Sequence, residues 1–309
     1  MQTRLSKKHL ATRQLETAIR LFLSGESHYS AVITLCGASR SILEQYQKRS
    51  GKKGLVDHIQ EIHEVLYKAK EKFSKTANIV NLKLGYVAHK HLFEGDVDEI
   101  ELNRGRCAYD SIVATIGDFK PVFGENNNWI GRFLSYSYNN WKTYEEAEEY
   151  WNLRANNSCK VSRFELAECQ LKTALILMNE GYDRISVITL SGAADVILCK
   201  LIDIDNRINF TKILMNNEIK QNNSKTKISE FGKELNDILA INKLKHFDKT
   251  DFEFEEFDID ELALGAISKA MANLLILKGE NNLVFQGIKA WIECNKHEDW
   301  VARNLKSAT

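Results

Sequence analysis

The sequence repeats itself after about 155 residues, and this repetition constrains the fold more than any other feature of the chain. The segment VITLCGASRSIL at 32–43 returns as VITLSGAADVIL at 187–198, and GENN at 124–127 returns at 279–282. The period is far longer than the roughly 20 to 50 residues of solenoid repeats, so each copy is expected to have its own core. The sequence therefore predicts a tandem duplication, with one domain at 1–155 and a homologous domain at 156–309.

Each half of the chain spaces its apolar residues three and four positions apart, which is typical of amphipathic helices. One proline and 16 glycines among 309 residues favour long uninterrupted helices. The stretches SAVITL and SVITL have strand propensity, but each continues into small and apolar residues at helical spacing. We therefore predict an all-α fold of two helical bundles, with these stretches at their centres. The clearest amphipathic pattern covers 56–73.

Bulk composition argues against several classes of protein. With 42 basic and 42 acidic residues the net charge is zero, which disfavours a protein held to nucleic acid by its overall field. The six cysteines form no C-x-x-C pair, as expected for reduced thiols. The N-terminal segment lacks the continuous apolar core of a signal peptide, and no apolar run reaches the length of a membrane span. We therefore expect a cytoplasmic protein that does not enter the membrane.

The sequence contains none of the common motifs for cofactors or metals, such as G-x-x-x-x-G-K-[ST], G-x-G-x-x-G and H-E-x-x-H. His89 and His91 are two residues apart, so on a helix they point in different directions. The position that corresponds to His89 in the second copy is Leu244, which binds no metal. We therefore predict no cofactor and no metal site.

A few polar residues are retained in both halves, and a Lys-His pair followed by Asp is the most informative of them. The candidate site residues are Lys90, His91 and Asp96, with Lys245, His246 and Asp251. Histidine titrates near neutral pH and serves as a general acid or base, lysine contacts phosphate, and aspartate orients an imidazole. The alternative is that each His interacts with the carboxyl end of its helix and each Asp caps the element that follows.

Two further sets of retained polar residues are expected to stabilise the fold. Gln14 and Thr17, and their counterparts Gln170 and Thr173, lie three residues apart and are predicted to form buried polar contacts. The GENN turns are predicted to begin helices, with asparagine as the cap.

The helix order and the segments KHLFEGD at 90–96 and KHFDKTD at 245–251 resemble the HEPN superfamily of bacterial and archaeal helical domains. Many HEPN domains are metal-independent ribonucleases in which an arginine precedes a histidine by a few residues, usually at a dimer interface. This sequence lacks that arginine in both copies. The corresponding positions hold Leu84, Gly85 and Tyr86 in the first copy and Leu239, Ala240 and Ile241 in the second.

The resemblance implies that the two copies pack as a pseudo-dimer within one chain, and it leaves three functions open. The missing arginine favours a catalytically silent protein that binds a protein or RNA partner, in a toxin–antitoxin or phage-defence setting. The first alternative is a divergent metal-independent ribonuclease that uses the Lys-His pairs, with lysine in place of arginine as the charge on the phosphate. The second alternative is a structural helical scaffold.

Overall fold

The computed structural model describes residues 3–67, 72–90, 99–124, 127–155, 160–222, 227–245 and 254–294. These residues form 15 α-helices and four short strands, so the prediction of an all-α fold is confirmed. Contacts between residues divide the chain into two compact units. The N-terminal unit comprises Arg4–Arg163 with Lys245–Glu255, and the C-terminal unit comprises Phe164–Leu244 and Glu256–Thr309 with Met1–Thr3. The predicted domain limit at 155 stays a prediction.

The first half of the chain contains eight helices and two strands among its described residues. They are β1 (Thr3–Ser6), α1 (Lys7–Ser24), α2 (Tyr29–Ser50), α3 (Leu55–Tyr67), α4 (Phe73–Lys83), α5 (Tyr86–Lys90), β2 (Glu99–Glu101), α6 (Arg104–Phe123), α7 (Asn128–Asn140) and α8 (Tyr144–Ala155).

The elements of the second half follow the order from β1 to α7, and α8 has no counterpart among the residues described there. They are β3 (Lys160–Ser162), α9 (Arg163–Asn179), α10 (Arg184–Ile204), α11 (Phe210–Asn222), α12 (Ile228–Ile238), α13 (Ile241–Lys245), β4 (Phe254–Phe257), α14 (Ile259–Lys278) and α15 (Leu283–Cys294). Helix α10 begins 155 residues after α2, at Arg184 against Tyr29. The same separation joins the first residues of α3 and α11, α4 and α12, α5 and α13, α6 and α14, and α7 and α15.

Helix α2 is the centre of the N-terminal unit and packs against both α1 and α6. It is buried almost continuously from Ser30 to Leu43, including the VITL segment that has strand propensity. In the C-terminal unit, α10 packs against α14 and is buried in the same way from Ile185 to Leu198. As predicted, both segments are therefore helical and central.

The strands are short and form two-stranded sheets. β2 pairs antiparallel with β3, with Ile100 opposite Val161. β1 pairs with β4. Such short pairs supply few backbone hydrogen bonds, so helix packing forms the core.

The retained polar residues of α1 and α9 are buried, as predicted. Gln14, Thr17, Gln170 and Thr173 are almost inaccessible to solvent, and the Thr173 hydroxyl donates to the Cys169 carbonyl oxygen within its own helix. The second GENN turn also begins a helix as predicted. Its Asn282 side chain accepts hydrogen bonds from the backbone N–H groups of Val284 and Phe285.

The amphipathic stripe of α3 is largely uncovered. The exposed fractions of Ile62, Val65 and Leu66 are 58%, 78% and 67%, whereas Val56 at the start of the helix is buried. The sequence pattern therefore identified a helix with an apolar face, but that face does not belong to the core of its unit.

The helix α8 is anchored by a close approach of Trp151 to α6. A Cβ atom at Gly105 would overlap the indole ring, so this position requires glycine. Asn103, at the start of α6, donates to the Trp151 carbonyl oxygen at 2.6 Å. The aromatic ring is also surrounded by Tyr29, Tyr109 and Trp141, which together form an aromatic cluster beside α2.

Candidate functional site

Most of the candidate residues predicted from the sequence lie outside the described residues. Lys90 and Lys245 are the last residues of α5 and α13. His91, Asp96, His246 and Asp251 lie in segments that the structure does not describe. A site built from the Lys-His pairs therefore stays a prediction.

His89, the residue directly before the last one of α5, is a core residue. It is fully buried, and its Nδ1 lies 2.8 Å from the carbonyl oxygen of Gly85. Burial lowers the pKa of His89 to about 4, so the imidazole is neutral at physiological pH. It is held in place by the fold rather than presented to a substrate.

A buried ion pair joins the two central helices of the N-terminal unit. Arg40 on α2 is 2% exposed, Asp118 on α6 is 1% exposed, and the Arg40 Nε lies 2.6 Å from the Asp118 Oδ2. The other carboxylate oxygen accepts from the Gln47 side chain at 3.2 Å and from the backbone N–H of Leu55 at 2.7 Å. Asp118 therefore has three donors, one of them the first residue of α3.

The Arg40 guanidinium has fewer hydrogen-bond partners than the Asp118 carboxylate. Its two terminal nitrogens, Nη1 and Nη2, are buried and find no hydrogen-bond acceptor among the residues that the structure describes. The nearest carboxylate oxygen belongs to Glu44 and is 4.0 Å from Nη2, beyond hydrogen-bond distance. A buried donor without an acceptor typically costs about 1 to 3 kcal/mol, so such an arrangement in a core calls for a physical reason.

Arg40 remains a cation in this environment. Burial by itself opposes the charge, but the neighbouring Tyr86 and Asp118 raise the pKa of Arg40 above its usual value. The guanidinium carbon lies 5.6 Å from the centre of the Tyr86 ring, a favourable position for a cation beside an aromatic face.

Two clefts adjoin this guanidinium, and both are lined by Arg40 and Glu44. The small cleft, of about 170 Å³, is also lined by Ser41, Asn81 and Tyr86. The large cleft has a volume of about 370 Å³, and its other walls include Lys48, Lys52, Lys53, Val56 and Phe73. The buried Arg40 is thus the shared wall of two clefts on the N-terminal unit.

The groups beside Arg40 are poor nucleophiles. Burial raises the pKa of the Cys36 thiol to about 12, so the thiolate is scarce at neutral pH. Burial also raises the pKa of Tyr86, which leaves a neutral phenol. The arrangement therefore suits recognition of an acceptor group better than covalent chemistry.

The C-terminal unit carries a buried pair with the charges reversed. Asp195 and Asn273 lie 155 residues after Arg40 and Asp118, and the cation is Lys269, one turn before Asn273 on α14. The Lys269 Nζ lies 2.5 Å from the Asp195 Oδ2 and 2.9 Å from the Asn236 Oδ1.

Asn273 retains part of the role that Asp118 has in the other unit. Its Oδ1 accepts from the backbone N–H of Phe210, the first residue of α11, at 2.8 Å, and its Nδ2 donates to Asp195 at 2.7 Å. The ammonium of Lys269 thus has two acceptors within its unit, whereas the terminal nitrogens of Arg40 have none among the described residues.

The sequence did not reveal this site, because its charged residues are not identical in the two halves. Arg40 and Asp195 differ, as do Asp118 and Asn273. One feature of the sequence could have indicated it. A charged residue lies inside each of the apolar segments GASRSIL and GAADVIL, and a charge buried in such a segment requires an oppositely charged partner.

Comparisons with known proteins found no match among family models, curated proteins or solved structures. Within the described ranges, no three His, Cys, Asp or Glu side chains are grouped closely enough to hold a metal ion. One described helix, α10, is long and apolar enough to cross a membrane by length and composition, and 83% of that window is buried within the fold. A buried core helix has the same properties, so α10 is weak evidence of a membrane span.

Proposed function

We propose that this chain is a tandem-duplicated, HEPN-like helical protein that binds a protein or RNA partner without catalysis, and that its N-terminal unit holds the binding site. The matched order of helices and the shared separation of 155 residues support the duplication. The hydrogen bond that Asp118 accepts from the first residue of α3, and Asn273 from the first residue of α11, supports it further.

The buried Arg40 carries the proposal. The Arg40 side chain lines two clefts, and its buried terminal nitrogens have no acceptor among the described residues. An acceptor group that reached them would supply hydrogen bonds that the folded chain itself does not make. A purely structural ion pair gains nothing from such unmatched donors, and the pair of Lys269 and Asp195 illustrates the better matched alternative. This contrast favours a binding protein over a scaffold.

The positions that would hold the arginine of a HEPN nuclease support the absence of catalysis. In the N-terminal unit Leu84 and Tyr86 are buried, and Gly85 between them has a φ of 73°. In the other unit Ala240 and Ile241 are buried as well. None of these residues is basic, so neither segment supplies a cation for a substrate phosphate.

The proposal is tested by incubating the purified full chain with labelled single-stranded and structured RNA in EDTA, beside a His91→Ala/His246→Ala variant. We expect intact RNA in both samples. Cleavage by the natural chain that is lost in the variant would overturn the proposal and make the protein a metal-independent ribonuclease. Fluorescence anisotropy on the same RNA, which measures binding without cleavage, reports whether RNA is the partner.

A further inference from the structure

Building on the proposed binding function, we infer that the Arg40 clefts bind a carboxylate on an acidic segment of a partner protein. Arg40 is almost fully buried, lines both clefts and has two terminal nitrogens without an acceptor among the described residues. The ligand therefore has to bring an oxygen acceptor to a fixed cation.

The orientation of the guanidinium determines the geometry of that acceptor. Its Nε is engaged by Asp118, so Nη1 and Nη2 form the remaining edge. Two parallel N–H groups on a planar edge match the two oxygens of a carboxylate in a bidentate pair. Tyr86 supports the guanidinium on one face, which reduces the freedom that would be lost on binding.

The charges around Arg40 favour a single negative charge on the ligand. Asp118 is in contact with the guanidinium and Glu44 lies 4.0 Å away, so two carboxylates already face this cation. A phosphate dianion would meet more repulsion than a carboxylate. The other polar residues that line the small cleft, Ser41, Asn81 and Tyr86, are neutral hydrogen-bonding groups.

The large cleft indicates a ligand that extends beyond one carboxylate. It joins the Arg40 wall to the apolar side chains of Val56 and Phe73 and to three lysines. With Arg40 these make four cations, against the three carboxylates of Glu44, Asp57 and Asp118 that also line the cleft. Basic side chains next to apolar ones fit an acidic peptide that carries apolar residues between its carboxylates.

The experiment compares two doubly substituted full-length chains. Arg40→Met/Asp118→Asn removes both charges of the N-terminal pair together, so that no charge is left buried alone. The control, Lys269→Met/Asp195→Asn, makes the equivalent change in the C-terminal unit, whose cation has its own acceptors. Circular dichroism establishes that both variants are folded before binding is measured.

Two probes are used, sodium acetate and a fluorescein-labelled peptide of four Glu-Leu-Glu repeats, with a Gln-Leu-Gln peptide as its neutral match. We expect acetate to raise the melting temperature of the natural chain and of the control, relative to chloride at equal ionic strength, but not that of the Arg40 variant. We expect the Arg40 variant to bind the acidic peptide roughly tenfold to a hundredfold more weakly than the control does. We expect the natural chain to bind the neutral peptide no more tightly than the Arg40 variant binds the acidic peptide.

Three outcomes would overturn the inference: neither probe acts through Arg40, both doubly substituted chains respond alike, or inorganic phosphate displaces the peptide at lower concentration than acetate. If the acidic peptide does not bind while RNA binds uncleaved and independently of Arg40, the carboxylate site is rejected and the proposed binding function stands. RNA cleavage dependent on His91 and His246 would instead overturn the proposed function, whatever the peptide result.

Discussion

The Nε of Arg40 lies 2.6 Å from Asp118 in one unit, whereas the residue at the position equivalent to Arg40 in the other unit is an acid, Asp195. In each unit the pair joins the two helices that form the centre of the core. The cation lies on α2 and the acid on α6 in the first pair, whereas the acid lies on α10 and the cation on α14 in the second. This difference leads to testable expectations for stability.

Replacing Arg40 with Met alone is expected to destabilise the protein by about 3 to 5 kcal/mol, because Asp118 would be left buried without its cation. The double variant Arg40→Met/Asp118→Asn should lose less, since no buried charge remains and asparagine can still accept from Leu55, as Asn273 accepts from Phe210. Urea unfolding of the two variants measures the difference. Equal losses would show that Asp118 gains no stability from Arg40.

We expect that the charge arrangement of the C-terminal pair can be built into the N-terminal unit. Arg40→Asp alone places a second carboxylate beside Asp118 and should cost several kcal/mol. Adding Ala114→Lys and Asp118→Asn recreates the arrangement of Lys269, Asn273 and Asp195, and should recover about 2 kcal/mol or more of that loss. Chemical denaturation of the single and triple variants is the measurement. A triple variant no more stable than the single one would contradict the structural equivalence of the two pairs.

Acid should destabilise the N-terminal unit through His89. The pKa of this histidine is lowered by burial to about 4 from an ordinary value of 6.5, so the unfolded chain binds the proton first. Its contribution to stability is complete above pH 6.5, is lost as the pH falls toward 4, and amounts to about 3 kcal/mol.

The His89→Asn variant provides the control, because asparagine does not titrate while its amide can donate to the Gly85 carbonyl. The free energy of unfolding should depend less steeply on pH in the variant than in the natural chain between pH 4 and 6.5. Parallel slopes for the two proteins would show that His89 does not titrate differently on folding.

Substitution of Gly105 by Ala should destabilise the packing of α8 on α6 by about 1 to 3 kcal/mol, since the new methyl group would overlap the Trp151 indole. Gly117→Ala is the matched control on the same helix, because a Cβ there meets no other atom within 4 Å. That change should be neutral or slightly stabilising. Thermal unfolding followed by tryptophan fluorescence separates the two, and similar melting temperatures would contradict the close approach.

Serine in place of Val65 or Leu66 should change the free energy of unfolding by less than about 0.5 kcal/mol, because both side chains are mostly exposed. Val56→Ala, on the same helix, should cost about 1 to 3 kcal/mol because Val56 is buried. Urea titrations of the three variants provide the test. A large loss at Val65 would place the exposed stripe of α3 against another part of the protein.

The sequence was sufficient to predict elements whose causes are local. Apolar spacing identified the central helices α2 and α10 despite their β-branched residues. Asn282 was recognised as a helix cap because capping depends on adjacent residues. The exposed face of α3 shows the limit of such patterns, since periodicity reveals that a helix has an apolar side but not whether anything covers it.

The Arg40 site could not be predicted in the same way, because its partners are far apart in the sequence. Asp118 is 78 residues from Arg40, and the two meet only when α2 packs against α6. In the other unit an acid, Asp195, stands at the position of Arg40, and the cation, Lys269, lies one turn before the position of Asp118. A search for identical polar residues therefore does not find this pair.

The reversed placement of acid and cation also disfavours a helix of one unit docking on the core of the other. If α10 docked on α6, Asp195 would be buried beside Asp118, and if α2 docked on α14, Arg40 would be buried beside Lys269. Either exchange would bury two like charges in contact, which is costly in a dry core. Segment exchange is a characteristic misfolding route for neighbouring similar domains. Each central helix therefore carries a charge that matches its own partner helix and opposes the charge on the equivalent helix of the other unit.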